Sequence, residues 1–128
     1  MSRIERDHNI FLVADDDLFV RSLVSRALKD YGKIVELTNG NDVVDRFLEI
    51  SPDVLFLDIH LPEKSGLDIL DEIIKKNKDA FVVMLSADSH LGNVVITRKA
   101  GAKGFITKPF TKQKLLETVR RCPSFKTP

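Results

Sequence analysis

A three-layer α/β fold built on a parallel sheet is what this 128-residue sequence predicts, on three observations. Five short apolar runs alternate with amphipathic stretches along the chain. Most of the runs are apolar at every position, as in strands buried on both faces of a parallel sheet, and do not alternate as a half-wet sheet would. The alternation continues without internal repeat, low-complexity tract or linker until the last few residues.

The runs are Ile10–Ala14, Ile34–Leu37, Val54–Leu57, Phe81–Leu85 and Gly104–Thr107. Between the first two, Val20, Leu23, Val24, Ala27, Leu28 and Tyr31 recur at helical spacing, and Gly32 is expected to stop that helix. Asn41 or Asp42 is placed to cap the second helix, which carries Val43, Val44, Phe47 and Leu48 and ends before Ser51-Pro52. Leu67, Leu70, Ile73 and Ile74 mark a third after Ser65-Gly66. A fourth, around Asn93–Lys99, is the least regular and ends near Ala100-Gly101. The fifth carries Leu115, Leu116 and Val119, and Pro123 limits it to about Cys122. Such alternation implies right-handed βαβ units with helices on both sheet faces. Five units in this length match the flavodoxin-like (βα)5 architecture, strand order 2-1-3-4-5. The expected domain spans residues 9–122, after a polar extension, 1–8, and before 123–128, a tail or the start of a linker.

Composition narrows the function classes. An apolar fraction of 43% and a charged fraction of 30% describe an ordinary soluble globular domain. Twenty basic against nineteen acidic residues give a net charge of +1, so charge balance points to neither nucleic acid nor a membrane surface. Cys122 is the lone cysteine, which excludes an intrachain disulfide and a thiolate metal cluster. The polar start from Met1 to His8 is no signal peptide, and no apolar run nears the roughly twenty residues that span a bilayer. A cytoplasmic location is expected.

Chemistry is expected at the strand ends. Asp58 closes the run Val54–Leu57, Asp15-Asp16-Asp17 follow Ile10–Ala14, and Lys108-Pro109 follow Gly104–Thr107. In the expected fold the carboxyl ends of the first and third strands flank the ligand crevice. Clustered carboxylates repel one another unless a cation neutralises them, and an all-oxygen acidic site suits Mg²⁺. Asp17 alone reads as a helix cap. Lys108 can aim a compact charge at a phosphoryl oxygen, and Ser86, leaving the fourth strand, can offer a hydroxyl. An aspartate nucleophile, a divalent cation, a lysine and a hydroxyl form a minimal kit for phosphoryl transfer.

With Asp15-Asp16, Asp58 followed by Leu61-Pro62 and Gly66, Ser86-Ala87 and Lys108-Pro109-Phe110, the chain resembles the receiver domain of bacterial two-component response regulators from about Asn9 to Cys122. That resemblance implies Asp58 as phosphoacceptor, taking its phosphoryl group from a histidine kinase or phosphotransfer protein. It implies Mg²⁺ held by Asp16 directly, by Asp15 largely through water, by Asp58, and by the backbone carbonyl of His60. Lys108 would contact the acyl phosphate. Ser86 and Phe105 would form a switch pair that remodels the surface of the fourth helix, fifth strand and fifth helix. The domain would be a signalling device rather than a true enzyme, limited to self-catalysed phosphorylation and dephosphorylation. Its output would pass to a target protein, or to an output domain beyond this sequence, and not to nucleic acid or membrane directly. His60 and Asp88 are expected to tune access of hydrolytic water. The alternative is a degenerate receiver that binds partners without phosphorylation.

Three rivals fail on named residues. Asp58-Ile59-His60 begins a cobalamin-binding pattern, but Glu63 stands where glycine is needed. A haloacid-dehalogenase-like phosphatase would have an acid in place of His60. A flavodoxin would have a Ser/Thr-rich phosphate loop where the three acids lie.

Overall fold

The computed structural model describes residues 8–88 and 90–127, so all but His8 of the polar 1–8 stretch, and Pro128, lie outside the described residues. The elements run β1 (Asn9–Ala14), α1 (Leu18–Leu28), β2 (Gly32–Leu37), a single 3₁₀ turn (Gly40–Asp42), α2 (Val43–Ile50), β3 (Val54–Asp58), α3 (Gly66–Lys76), β4 (Val82–Ser86), α4 (Leu91–Lys99), β5 (Gly104–Thr107) and α5 (Lys112–Val119). One parallel sheet has the order β2-β1-β3-β4-β5, as expected.

The continuous apolar runs have a direct structural cause. In β1, Phe11 and Val13 enter one core with Val24, Leu28, Leu115 and Val119 of α1 and α5. Leu12 and Ala14 point the other way, into a second core with Phe47, Ile69, Leu70 and Ile73 of α2 and α3. Successive strand residues face opposite sides, so a strand covered on both sides has no position left for a polar residue. The edge strand β2, covered less completely, keeps Lys33 and Glu36.

Two boundary expectations are corrected. Gly32 does not stop α1, which ends at Leu28; it opens β2 instead. Its N-terminal neighbour strand leaves no room for a side chain, because a Cβ there would lie 2.3 Å from Asn9 O. Neither Asn41 nor Asp42 supplies a side-chain cap to α2; Asn39 caps the preceding 3₁₀ turn, accepting the Asn41 N–H at 3.0 Å. Asp17, Ser65 and Thr111 do cap α1, α3 and α5.

α4 is the exception among the helices. Thr97 is its only buried side chain among the described residues, and its hydroxyl bonds back to Asn93 O at 2.9 Å. Val95 and Ile96 point outward, which accounts for the irregular apolar spacing in the sequence.

The chain beyond α5 packs on the amino ends of the strands. Asn9 donates from Nδ2 to Tyr31 O and Lys126 O, each at 2.7 Å, and accepts the Lys126 N–H. Phe125 lies against Phe11 and Tyr31, with ring centroids 6.3 and 5.8 Å away. Residues 124–126 are thus packed against the sheet.

Candidate functional site

The carboxyl ends of β1, β3, β4 and β5 converge above the opposite edge of the sheet. Asp15 follows β1 and is fully buried, Asp58 is the last residue of β3 and is 5% exposed, and Asp16 faces solvent. One carboxylate oxygen from each of these three lies within 4.8 Å of the others. Lys108, directly after β5, reaches over them: Nζ is 2.7 Å from Asp15 Oδ2 and 3.5 Å from Asp58 Oδ2. Its backbone is anchored by an N–H donated to Ser86 O at 2.8 Å, and the Lys108–Pro109 peptide is cis.

Each acid is held by its own loop. Asp15 Oδ1 accepts the Asp17 N–H at 2.9 Å, and Asp58 Oδ1 accepts the His60 N–H at 3.0 Å. The His60 backbone is thereby drawn to the acid cluster while its imidazole stays exposed. Gly66 lets the loop after β3 close, donating its N–H to Ile59 O at 2.8 Å. A Cβ at Gly66 would lie 2.3 Å from Asp58 O, so any side chain there would displace the strand end.

Charge sets the character of the site. Burial raises the Asp15 pKa, as does the nearby Asp58 carboxylate, and the Lys108 ammonium and Asp17 N–H only partly offset this. Burial also disfavours the Lys108 ammonium, but the Asp15 and Asp58 carboxylates outweigh it and hold its pKa above the ordinary lysine value. Asp15 Oδ2 accepts no well-aligned hydrogen bond and faces only that ammonium. A buried carboxylate oxygen whose partner is that one ammonium, beside two further carboxylates, belongs to a donor set that fits a small divalent cation such as Mg²⁺.

Ser86 is fully buried, and its Oγ accepts the Asp88 N–H at 3.0 Å. It follows Leu85, the register partner of Asp58, so it stands beside the acid on the neighbouring strand. Asp88 in turn accepts N–H groups from His90 and Asn93, tying the β4–α4 loop to the start of α4. Phe105 is half-buried on β5, opposite Met84, and lines a small cavity of about 20 Å³ with Val94, Thr97, Arg98, Ala102 and Gly104.

Arg21 escaped the sequence reading. Its guanidinium donates to Asp15 O at 2.9 Å and to Glu36 at 3.0 Å, bracing the β1 end from α1. The available signal was weak: a cation one turn past an acidic triplet.

The sequence family described as the response regulator receiver domain matches residues 11–120. The chemotaxis protein CheY of Listeria monocytogenes is 38% identical over 112 residues, 86% of this chain and 94% of that protein. CheY of Thermotoga maritima is 35% identical over 86% of this chain and 93% of its own length. Among solved structures, the BeF3-activated receiver domain of DrrB superposes with a TM-score of 0.83 at 30% identity, covering 90% of this chain and 97% of that one. CheY4 of Vibrio cholerae shares the fold, with a TM-score of 0.84 at 23% identity over 91% of this chain and 99% of its own. Acids at the ends of the first and third strands, a lysine after the fifth and these matches lead to one statement: the chain belongs to the response regulator receiver family of two-component signalling.

Proposed function

We propose that this domain accepts a phosphoryl group on Asp58 from a phosphohistidine of a kinase or phosphotransfer protein. The observation that carries the reading is Lys108 Nζ poised between Asp15 and Asp58, 2.7 and 3.5 Å away, beside a third carboxylate. In the transfer an Asp58 carboxylate oxygen forms a bond to phosphorus. The phosphorus–nitrogen bond of the donor breaks, and the imidazole leaves with its electron pair and takes up a proton. Little covalent chemistry falls to the surrounding residues, which position groups and stabilise charge.

A Mg²⁺ ion, when bound, supplies charge neutralisation between carboxylate and phosphoryl oxygens. Asp16 and Asp58 would hold it directly, Asp15 largely through water, and the His60 carbonyl would complete the protein's share. Lys108 would follow the charge, leaving Asp15 for a phosphoryl oxygen. The Ser86 hydroxyl would turn toward the same group, and Phe105 would turn inward behind it, altering the α4–β5–α5 surface. His60 and Asp88, exposed two residues beyond Asp58 and Ser86, would tune access of hydrolytic water and so the phosphoryl lifetime.

The test is incubation with Mg²⁺ and a small acyl-phosphate donor, read by intact-protein mass. The expected result is an acid-stable, base-labile adduct of one phosphoryl group, absent in Asp58→Asn and absent when the ion is chelated. An unmodified wild-type chain would return the domain to a phosphorylation-independent binding role. For the tuning residues, exchanging His60 and Asp88 together should change the dephosphorylation rate, and an unaltered rate rules that role out.

A further inference from the structure

Asp16 is the least restrained of the three acids. Asp15 and Asp58 each accept an N–H from their own loop, whereas Asp16 is exposed and its side chain forms no such bond among the described residues. Its place is therefore set by the backbone on either side. Asp17 is fixed as the cap of α1, its Oδ1 accepting the Phe19 N–H at 2.9 Å, and Asp15 donates its own N–H to Leu37 O of β2 at 3.1 Å. We infer that Arg21 and Glu36 are positioning residues that complete this hold, fixing the β1–α1 loop so that Asp16 stands beside Asp15 and Asp58, a role that rests on the cation-site reading above.

The strand ladder leaves a gap that the pair fills. β2 ends at Leu37, so it supplies an acceptor for the Asp15 N–H and stops before a donor for the Asp15 carbonyl. The Arg21 guanidinium provides that donor, with Nη1 2.9 Å from Asp15 O, while Nε donates to Glu36 Oε1 at 3.0 Å. Glu36 lies on β2, and its other oxygen accepts the Ser25 hydroxyl of α1 at 3.3 Å. One planar fork thus ties the end of β1 to α1 and to β2, a geometry that the point charge of a lysine does not reproduce.

Burial and target separate this pair from an ordinary surface one. The Arg21 side chain is 12% exposed, against 38% for Arg46 in its pair with Glu49 on α2. Arg21 also reaches a backbone carbonyl and not an acid of the cluster, so Asp15 Oδ2 keeps Lys108 Nζ at 2.7 Å. A guanidinium beside a cation site would by its charge oppose the ion, and Glu36 at 3.0 Å cancels much of that field. The end of β2 steadies the second acid-bearing loop as well: the Gly40 N–H donates to Pro62 O at 2.9 Å, four residues beyond Asp58.

Three roles for the pair differ in what removal does to Mg²⁺ binding. A pair that only stabilises the fold would leave the affinity alone. A guanidinium acting through its charge would, once removed, let the ion bind more tightly. A pair that positions the acids would weaken binding, since partners that orient metal ligands typically contribute about ten- to a hundredfold in affinity.

Calorimetric titration of the full chain with Mg²⁺, and amide hydrogen exchange without the ion, test this together. Arg21→Ala should weaken Mg²⁺ binding about tenfold or more. It should also speed exchange of the Asp15 and Asp17 amides about tenfold more than that of the β3 amides, which report any general loss of stability. Glu36→Ala should weaken binding in the same direction, and Glu36→Gln, which keeps an acceptor for Nε, should restore most of the loss. Arg46→Ala, which removes the exposed pair on α2, should leave both readouts unchanged. Unchanged or tighter Mg²⁺ binding in Arg21→Ala overturns the positioning role, and so does an equal loss in Glu36→Ala and Glu36→Gln. A wild-type chain that binds no Mg²⁺, yet whose Asp15 and Asp17 amides open in Arg21→Ala, would overturn the cation-site reading and leave the pair as the hold on the acid loop. Without binding or opening, both fall.

Discussion

Asp53 and Asp58 bracket the same strand, both nearly inaccessible, at 2% and 5% exposure, and their surroundings are opposite. Asp53, at the amino end of β3, has both oxygens engaged: Oδ2 accepts the Ile10 N–H and Oδ1 the Ser124 hydroxyl, each at 2.7 Å. Its backbone carbonyl also accepts from the Cys122 thiol at 3.4 Å. Asp58, at the carboxyl end, accepts one N–H from its own loop and shares Lys108 with a second buried acid. One pole of the sheet is saturated with hydrogen bonds, and the other holds carboxylates short of donors. A buried acid with full partners fixes structure; one left underprovided is available to a cation and a reacting group.

Substitutions at the two poles should therefore separate activity from stability. The largest effect expected is on reaction: Lys108→Ala should slow phosphoryl acceptance from a small donor by about 10²–10³-fold, measured as the rate of adduct formation. Asp53→Ala should leave acceptance intact in the folded protein yet cost about 2–4 kcal/mol in urea unfolding, because the Ile10 N–H and the Ser124 hydroxyl lose their acceptor. If Asp53→Ala instead slowed acceptance in the fully folded protein, the division between poles would fail.

Saturation with Mg²⁺ should stabilise the wild-type chain, by about 2.7 kcal/mol at one hundred times its Kd, and should do little for Asp16→Asn or Asp58→Asn. Thermal unfolding with and without the ion reads this directly. Phe125→Ala should cost about 1–2 kcal/mol by baring Phe11 and Tyr31, with no change in Mg²⁺ affinity.

The smallest effect concerns pH without added cation. Because the folded-state pKa of Asp15 is raised above 3.8, the folded state binds that proton more tightly than the unfolded chain does. Its contribution to stability is present below pH 3.8 and is lost as pH rises through the raised value. Asp15→Asn should remove that decline, leaving the variant more stable than wild type at neutral pH. For Lys108, whose pKa is raised above 10.5, the contribution holds up to that value and is lost at higher pH. A wild-type stability profile that Asp15→Asn leaves unchanged would contradict the electrostatic picture of this pole.

The pole at the carboxyl ends of the strands is the more legible of the two in the sequence. Apolar runs mark strand ends, and a polar residue directly after such a run stands out, so Asp15, Asp16, Asp58, Ser86 and Lys108 could be named before any fold was seen. The saturated pole left no comparable signal. Asp53 reaches Ile10 across 43 residues, and Asn9 reaches Lys126 across 117. Contacts of that separation follow no helical or strand period, so Pro123 was visible as a helix breaker while the packing of Phe125 behind it was not. Gly32 is opaque in the sequence for the same reason: its constraint comes from Asn9 on the next strand, not from the helix it follows. Charge is legible but, summed over the whole chain, hides that residues 89–128 hold a single acid, Glu117.

The comparison between Asp53 and Asp58 is tested most directly by locating the phosphoryl group. After incubation with Mg²⁺ and an acyl-phosphate donor, borohydride reduction converts an aspartyl phosphate to homoserine, which tandem mass spectrometry assigns to a single position. The expected product has homoserine at position 58 and unmodified aspartate at 15, 16 and 53. Homoserine at any of those three positions, or at none, would contradict the assignment of Asp58 as the acceptor.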